Sequence, residues 1–200
     1  MKLALYTAYS AFDLRSAFHQ IKLREADKSF TAFQAGLRLF QFTRVPFGLR
    51  NSSAVFQRVM DDLVQQYKLE GVVTYIDNVY VGGATQEQHD VNVERLIKAA
   101  AEINVTFNES KSIHSTKELF LLGYLISKGV KRPDPERVKA IMDLPPPKTI
   151  DEQRRVLGLF ANYSRWISKF SEFIHPVNEK YSILYFRALN LLINLSIYFV

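Results

Sequence analysis

The sequence contains no cysteine among its 200 residues. This absence excludes a disulfide framework, thiolate zinc sites, iron–sulfur clusters and a cysteine nucleophile. The N-terminal stretch MKLALYTAYSAF has one lysine and too short an apolar run for a signal peptide. We therefore expect a cytoplasmic or nuclear protein that uses no thiol redox chemistry.

Long hydrophobic runs are also scarce, and the strongest apolar segment is the C-terminal stretch YSILYFRALNLLINLSIYFV. Arg187 divides this stretch and leaves thirteen residues after it. A helix that spans a bilayer needs about 20 consecutive, mostly apolar residues. We expect residues 179–200 to form a core-packing or aggregation-prone tail of unassigned role rather than a membrane anchor.

Charge is distributed unevenly along a chain whose net charge is +6. Residues 1–60 carry nine Lys and Arg against three Asp and Glu, whereas residues 61–100 carry three against seven. Aromatic residues interleaved with basic ones are typical of surfaces that bind single-stranded nucleic acid. The alternative is that these aromatic residues are core and the charges lie on the solvated opposite face. The phenylalanines in question are Phe12, Phe18, Phe30, Phe33, Phe40, Phe42, Phe47 and Phe56.

Hydrophobic periodicity and turn residues predict an ordered series of elements. The first half reads as a strand at 6–14, a helical turn at 15–20, a hairpin over 31–43, a helix over 52–67, and two short strands, 72–76 and 79–81, around the pair Asp77–Asn78. The second half reads as a helix from the Thr85 cap to about 103, strands at 105–107 and 119–126, a short helix capped by Asp134, and a helix from the Thr149 cap to about 169. This mixed order indicates an α+β fold with helices on one face of an antiparallel sheet.

Two carboxylates stand where strands end or turn, Asp13 at the end of the first strand and Asp77 at the tip of the second hairpin. If those strands are neighbours, both side chains reach one patch. Mg²⁺ in phosphoryl transfer is usually held by one or two carboxylates together with substrate phosphates and water. The alternative is structural, because Asp and Asn are also favoured turn residues.

Several motifs occur in a defined order between Ser10 and Pro176. They are FDLRSAFHQI at 12–21, VPFGLRNSSAVFQRVMDD at 45–62, YIDN at 75–78, FLLGY at 120–124, RPDPERVKAI at 132–141 and LGLFANYSRWI at 157–167. In this order and spacing, the chain resembles the reverse transcriptase domain of gypsy-type LTR retrotransposon Pol polyproteins.

The resemblance implies a right-hand polymerase palm with partial fingers over residues 7–127 and the start of a thumb or connection over 128–178. It also implies RNA-directed DNA polymerase activity by two-metal nucleotidyl transfer, with two Mg²⁺ ions or Mn²⁺ in their place. The implied partners are an RNA or DNA template with its primer, and deoxynucleoside triphosphates.

Site residues follow from the matched motifs. Asp13, the carbonyl of Leu14, and Asp77 would bind the metals, and Asn78 occupies a catalytic position where the family has a second aspartate. The implied nucleotide contacts are the backbone of Ser16 and Ala17, the sugar gate Phe18, Phe47 and Gly48 against the nascent base pair, and Lys111. Leu122, Gly123 and Tyr124 would form the primer grip.

Each of these positions also has an ordinary structural interpretation. Phe18 could be core, Gly48 a turn residue after Pro46, Lys111 an exposed loop lysine, and residues 122–124 an interior strand. The four histidines, His19, His89, His114 and His175, show no metal-ligand spacing, and we assign them solvation or packing roles.

The chain departs from the family pattern in three respects. Asparagine at position 78 removes a negative charge, few residues precede the first motif, and no further Pol domain follows the last one. These departures predict a truncated element copy with impaired activity. The alternatives are a catalytically inactive remnant that still binds nucleic acid, and a non-functional element fragment.

Overall fold

The computed structural model describes residues 2–145, 147–167 and 169–172. These residues form two compact units, one reaching to Leu121 and including Ile126–Lys131, the other comprising Leu122–Leu125 and the residues from Arg132 onward. The strands are β1 (Ala8–Asp13), β2 (Phe33–Ala35), β3 (Arg38–Phe40), β4 (Val72–Tyr75), β5 (Asn78–Gly83), β6 (Ile113–Thr116), β7 (Glu118–Leu121), β8 (Tyr124–Ser127) and β9 (Val130–Pro133). The α-helices are α1 (Glu25–Lys28), α2 (Ser52–Gln66), α3 (Gln86–Glu102), α4 (Pro135–Met142) and α5 (Ile150–Ala161).

The first unit contains a four-stranded sheet in the order β4-β5-β1-β6. Strand β5 pairs antiparallel with both β4 and β1, and β6 pairs antiparallel with β1. The β1–β5 register sets Ala8 opposite Gly83 at one end and Asp13 opposite Asn78 at the other. This register brings the end of the first strand beside the hairpin turn between β4 and β5.

One face of this sheet is covered by α2 and α3. The buried residues of α2 include Phe56, Met60 and Leu63, whose spacing of four and three residues puts them on one helical face. They join Phe12 and Val79 of the sheet in a single apolar cluster. The helix expected over 52–67 is thus confirmed, and its buried face packs α2 against β1, which ends in Asp13, and β5, which follows Asp77.

Residues that alternate with these along the strands face the other side of the sheet. Tyr9 and Tyr80 are buried there with Leu119, Leu121 and Ile126. Within the first unit, the sheet therefore has helices on one face and the side chains of Leu119, Leu121 and Ile126 on the other. The α+β fold and the antiparallel sheet with helices on one face are confirmed.

In the basic, phenylalanine-rich segment, some phenylalanines are core residues and others are exposed, so each of the two interpretations of the segment fits some of its residues. Phe12 and Phe56 are core residues, each 1% exposed. The β2–β3 hairpin, in contrast, exposes all six of its strand residues, and Phe33 stacks on Phe40 across it with ring centroids 5.8 Å apart. Leu37, at the hairpin tip, is fully exposed.

The predicted strand at 119–126 is wrong as a single element. The chain turns at Leu122 and Gly123, whose φ angles are 51° and 81°, and separates β7 from β8. Two consecutive positive φ values are what a two-residue type I′ hairpin turn requires. Residues 105–107 form no strand but only one bridge, between Leu14 and Phe107.

Helix starts were predicted more accurately than helix ends. The side chains of Thr85, Asp134 and Thr149 each accept a hydrogen bond from a backbone N–H of the following first turn, as N-caps do. Helix α5 ends at Ala161 rather than near 169, and a 3₁₀ turn follows it at Ser164–Trp166. In the part of the chain that the structure describes, no helix has the length and apolar character needed to cross a membrane. The predicted tail, 179–200, lies outside the described residues.

Candidate active site

Asp13 and Asp77 are brought together by strand register. Asp13 is the last residue of β1 and lies opposite Asn78, the first residue of β5. The N–H of Leu14 donates to the Asp77 carbonyl oxygen at 2.8 Å, and the N–H of Asn108 donates to the Asp13 carbonyl oxygen at 2.7 Å. These bonds hold the backbones of both aspartates at one end of the sheet.

The hairpin that carries Asp77 turns one residue earlier than predicted. Tyr75 pairs with Asn78, so the two central turn residues are Ile76 and Asp77, and Asn78 belongs to β5. Ile76 has a φ of 49°. A positive φ at the first central position is required by a type II′ turn, and for a β-branched residue it is strained. Such strain costs on the order of 1–3 kcal/mol and persists only where the surroundings enforce it.

Two polar contacts define the electrostatics of this patch. The Lys111 Nζ lies 3.9 Å from the Asp13 Oδ1, and the Asp13 side chain is 21% exposed. The Asn78 Nδ2 donates to the Asp77 Oδ1 at 2.9 Å. Asparagine at position 78 therefore gives this patch one negative charge fewer than an aspartate would. Its amide also occupies one carboxylate oxygen of Asp77.

The residues present fit a hard divalent cation. The donor set is entirely oxygen, with two carboxylates and the carbonyl of Leu14, which follows Asp13 directly. Within residues 2–145, 147–167 and 169–172, no group of three or more His, Cys, Asp or Glu side chains is arranged to hold a metal ion. A metal bound by Asp13 and Asp77 therefore needs water or substrate oxygens to complete its coordination.

The predicted phosphate contacts follow Asp13 on a tight turn. Ser16 has a φ of 48° and precedes a 3₁₀ helix over Ala17–Gln20. Backbone N–H groups around a left-handed residue form concave sites that favour anions. The Gln20 side chain ties this turn down, because its Nε2 donates to the Arg15 carbonyl at 2.6 Å and its Oε1 accepts from the Thr106 N–H at 2.8 Å.

Phe18 lies in a cluster of aromatic rings beside this turn. Its ring makes edge contacts with Phe47 and Phe56, at centroid distances of 5.6 and 5.7 Å. Phe56 is core, whereas Phe47 is 64% exposed. Phe18 is thus half-buried, with the core on one side and an exposed ring on the other. Gly48, next to Phe47, has a φ of 87°, which favours glycine.

The predicted primer-grip residues lie in the second compact unit. Leu122 is exposed, and Gly123 at a φ of 81° packs so closely on Arg137 that an added Cβ would lie 2.7 Å from its Nη1. The Tyr124 ring contacts Trp166 at a centroid distance of 5.4 Å. The backbone conformation therefore favours glycine at position 123, whereas the exposed end of the Arg137 side chain could move to make room for a Cβ.

A polar cluster that the sequence motifs do not predict lies beneath the hairpin turn. The Gln57 side chain on α2 contacts Asp61, Thr74 and the backbone of Ile76. One signal was available, because Gln57 is a polar residue beside the buried Phe56 on the helix that packs on the sheet.

One buried histidine also lies within the sheet–helix interface. His89, on α3, is 2% exposed, and its Nε2 lies 2.9 Å from the Ser10 Oγ. Its Nδ1 lies 2.9 Å from an Asp90 carboxylate oxygen, and this hydrogen bond lowers the pKa of the Asp90 carboxyl. Of the two roles expected for the histidines, solvation or packing, the buried position of His89 fits packing.

Comparisons with known proteins agree with this geometry. Residues 1–126 match the family model described as reverse transcriptase (RNA-dependent DNA polymerase). The chain is 31% identical over 171 residues to the retrovirus-related Pol polyproteins of the Drosophila melanogaster transposons opus and gypsy, which covers 86% of this chain and 17% and 16% of those proteins. A foamy viral protease-reverse transcriptase solved with double-stranded DNA superposes with a TM-score of 0.81 at 26% identity, covering 94% of this chain and 35% of that one.

The fold is that of a polymerase palm, as predicted. The chain belongs to the reverse transcriptase family, and its match is to the reverse transcriptase domain of retrotransposon Pol polyproteins. It spans about one sixth of the length of the two Pol polyproteins compared here.

Proposed function

We propose that this domain catalyses RNA-directed DNA synthesis on a primed RNA or DNA template, using deoxynucleoside triphosphates and two Mg²⁺ ions, or Mn²⁺. The observation that carries the proposal is the register that brings Asp13 and Asp77 together at one end of a palm sheet. Family membership and the half-buried Phe18 beside this end support the same assignment.

The residues of the chain have distinct roles in this reaction. Asp13, Asp77 and the Leu14 carbonyl would hold the divalent ions, which would supply charge stabilisation for an in-line displacement at phosphorus. The backbone N–H groups of Ser16 and Ala17 bind the triphosphate, and Lys111 adds a positive charge 3.9 Å from the Asp13 carboxylate. The primer 3′-hydroxyl attacks the α-phosphate, and pyrophosphate leaves.

The remaining predicted contacts orient the substrates. Phe18 stands under the deoxyribose and excludes a 2′-hydroxyl, while Phe47 and Gly48 lie against the nascent base pair. Leu122, Gly123 and Tyr124 hold the primer end.

Asn78 lowers the activity that this arrangement supports. Its amide donates to the Asp77 carboxylate, and it contributes no charge toward two divalent cations. The Asn78→Asp variant restores that charge, and we expect it to raise incorporation.

The test is incorporation of deoxythymidine triphosphate on oligo(dT)-primed poly(rA), with Mg²⁺ and then Mn²⁺. The native chain and Asn78→Asp are compared with Asp77→Ala, and Asp62→Ala serves as the control for loss of an exposed carboxylate on the same unit. We expect Asp77→Ala alone to abolish incorporation. Equal incorporation by Asp77→Ala and Asp62→Ala would contradict the proposal.

The Asn78–Asp77 hydrogen bond also favours a second candidate, a catalytically inactive domain that binds nucleic acid. Its basic N-terminal segment would bind phosphates, so affinity would fall steeply with salt concentration. Salt-dependent binding of an RNA–DNA hybrid, without incorporation by the native chain under either metal, would select this candidate.

A further inference from the structure

The strained hairpin turn is contacted by one side chain from the helix beneath it. The Gln57 Oε1 on α2 accepts the N–H of Ile76 at 2.7 Å. Ile76 is the turn residue with the positive φ, and Asp77 follows it directly. The contact therefore reaches the turn one residue before the proposed metal ligand.

The other end of the Gln57 amide is also fully engaged. Its Nε2 donates to the Asp61 Oδ1 at 2.8 Å and to the Thr74 Oγ1 at 3.0 Å. The Thr74 hydroxyl in turn donates to the same Asp61 oxygen at 3.1 Å. Because acceptors surround Nε2 and a donor faces Oε1, only one orientation of the amide satisfies all of these groups.

We propose that Gln57 is a positioning residue for catalysis, held in place by Asp61 and Thr74. This inference rests on the proposed function. Gln57 forms hydrogen bonds with Thr74 in β4 and with the backbone of Ile76 in the turn. These two contacts fix the backbone conformation that leads into Asp77. Strained backbone persists where surrounding contacts over-determine it, and these hydrogen bonds supply that constraint. Gln57 acts through Asp77, and we assign it no contact with substrate or metal.

A complementary pair of substitutions tests this role. Gln57→Glu retains an oxygen for the Ile76 N–H but places a second oxygen against the Asp61 carboxylate. In the double variant Gln57→Glu/Asp61→Asn, the asparagine amide introduced at position 61 can donate to that oxygen, and the net charge equals that of the native chain. Gln57→Ala removes the contact altogether, and Gln66→Ala, exposed on the same helix, is the matched control.

The first readout is hydrogen exchange at the Ile76 amide, which requires no catalysis. Loss of one hydrogen bond changes an opening equilibrium by roughly fivefold to tenfold. We expect exchange at Ile76 to accelerate by about that factor in Gln57→Ala and Gln57→Glu, to recover in the double variant, and to stay native in Gln66→Ala. The Phe12 amide in β1 reports any general loss of stability.

The second readout is the division between kcat and KM for deoxythymidine triphosphate, measured in the native or Asn78→Asp background, whichever incorporates nucleotide. Misplacing a reacting group by about 1 Å can cost on the order of 100-fold in rate. We expect kcat to fall by roughly tenfold or more in Gln57→Glu, with KM within about twofold, and to recover in the double variant.

The two readouts separate the possible failures. If Ile76 exchange responds as expected but no variant incorporates nucleotide, the hydrogen-bond role stands, while the catalytic role and the proposed function both fail. If nucleotide is incorporated and the double variant is no better than Gln57→Glu in either readout, the positioning role is overturned. Unchanged Ile76 exchange in Gln57→Ala overturns it whatever the activity.

Discussion

Gly71 links α2 to β4 at a φ of 68° and lies against the end of β5. A Cβ added there would lie 2.3 Å from the Gly82 carbonyl oxygen and 2.7 Å from the Asn92 Nδ2. The same Asn92 amide donates to the Gly82 oxygen at 2.9 Å, and Asn92 is 4% exposed. Gly71→Ala must therefore displace backbone and break a buried hydrogen bond that ties α3 to β5.

The expected cost has two parts. A left-handed conformation costs a residue with a Cβ about 1–2 kcal/mol, and leaving a buried polar group unsatisfied costs about 1–3 kcal/mol. We therefore expect Gly71→Ala to lower the free energy of unfolding by about 2–5 kcal/mol. Gly36 is the matched control, because its φ is 61° and an added Cβ there would meet nothing within 4 Å. Gly36→Ala is expected to cost at most about 1–2 kcal/mol.

Urea unfolding followed by far-ultraviolet circular dichroism measures both variants. With a slope of about 1–3 kcal/mol per molar urea, a difference of about 2 kcal/mol separates the two midpoints by roughly 1 M. Equal midpoints would show that backbone conformation alone sets the cost at Gly71, and would refute the close approach of Gly71 to β5.

Three further predictions follow from individual contacts. Phe18→Ala removes the proposed sugar gate. The preference for deoxythymidine triphosphate over its ribonucleotide analogue is measured as a ratio of kcat/KM values, and we expect this ratio to fall by about 10- to 100-fold. An unchanged ratio would contradict the gate. The Thr85 Oγ1 caps α3 by accepting a hydrogen bond from the Gln88 N–H at 3.2 Å. Thr85→Ala should therefore lower the free energy of unfolding, measured with urea, by about 1 kcal/mol. An unchanged urea midpoint would show that the cap contributes nothing. Hydrogen bonds from His89, and then from Gln86, hold the pKa of Asp90 below its ordinary value of 3.8, so its contribution to stability is present above that pH and is lost as pH falls through the lowered pKa. The melting temperature of Asp90→Asn should therefore change less between pH 5 and pH 3 than that of the native chain, and parallel curves would contradict this linkage.

Local patterns in the sequence predicted the elements that carry the site. The first strand was expected to end in Asp13, and β1 does end there. Helix α2 was predicted because apolar residues recur at helical spacing, and three helix caps were predicted from Thr85, Asp134 and Thr149. These features depend on residues within one or two turns of each other, so a single sequence contains the information.

Features that depend on tertiary contacts were not predicted. Asp77 and Asn78 were expected to form the turn, because such residues favour turns, but the β1–β5 and β4–β5 pairings place Asn78 in the strand and force Ile76 into a positive φ. Strands β6 and β9 are short and largely exposed, so they lack the hydrophobic alternation that identifies a strand.

In the candidate site, too, some residues could be predicted from local sequence motifs and others only from tertiary contacts. The family motifs predict that Asp13 and Asp77 bind the metals, and the sheet register explains why these two residues adjoin. Gln57 lies nineteen residues before Ile76 in the chain, and only the packing of α2 against the hairpin brings the two into contact. Its role could not be read from local spacing.

Iron-mediated cleavage of the backbone tests directly, and without relying on catalysis, whether Asp13 and Asp77 share a metal site. Fe²⁺ replaces Mg²⁺ in such sites, and with ascorbate and peroxide it cleaves the backbone near the bound ion. We expect cleavage at two separate places, next to Asp13 and next to Asp77, that Mg²⁺ suppresses by competition and that is lost at both places in Asp13→Ala. Cleavage elsewhere, or cleavage at both places that persists in Asp13→Ala, would contradict a metal site shared by these two aspartates.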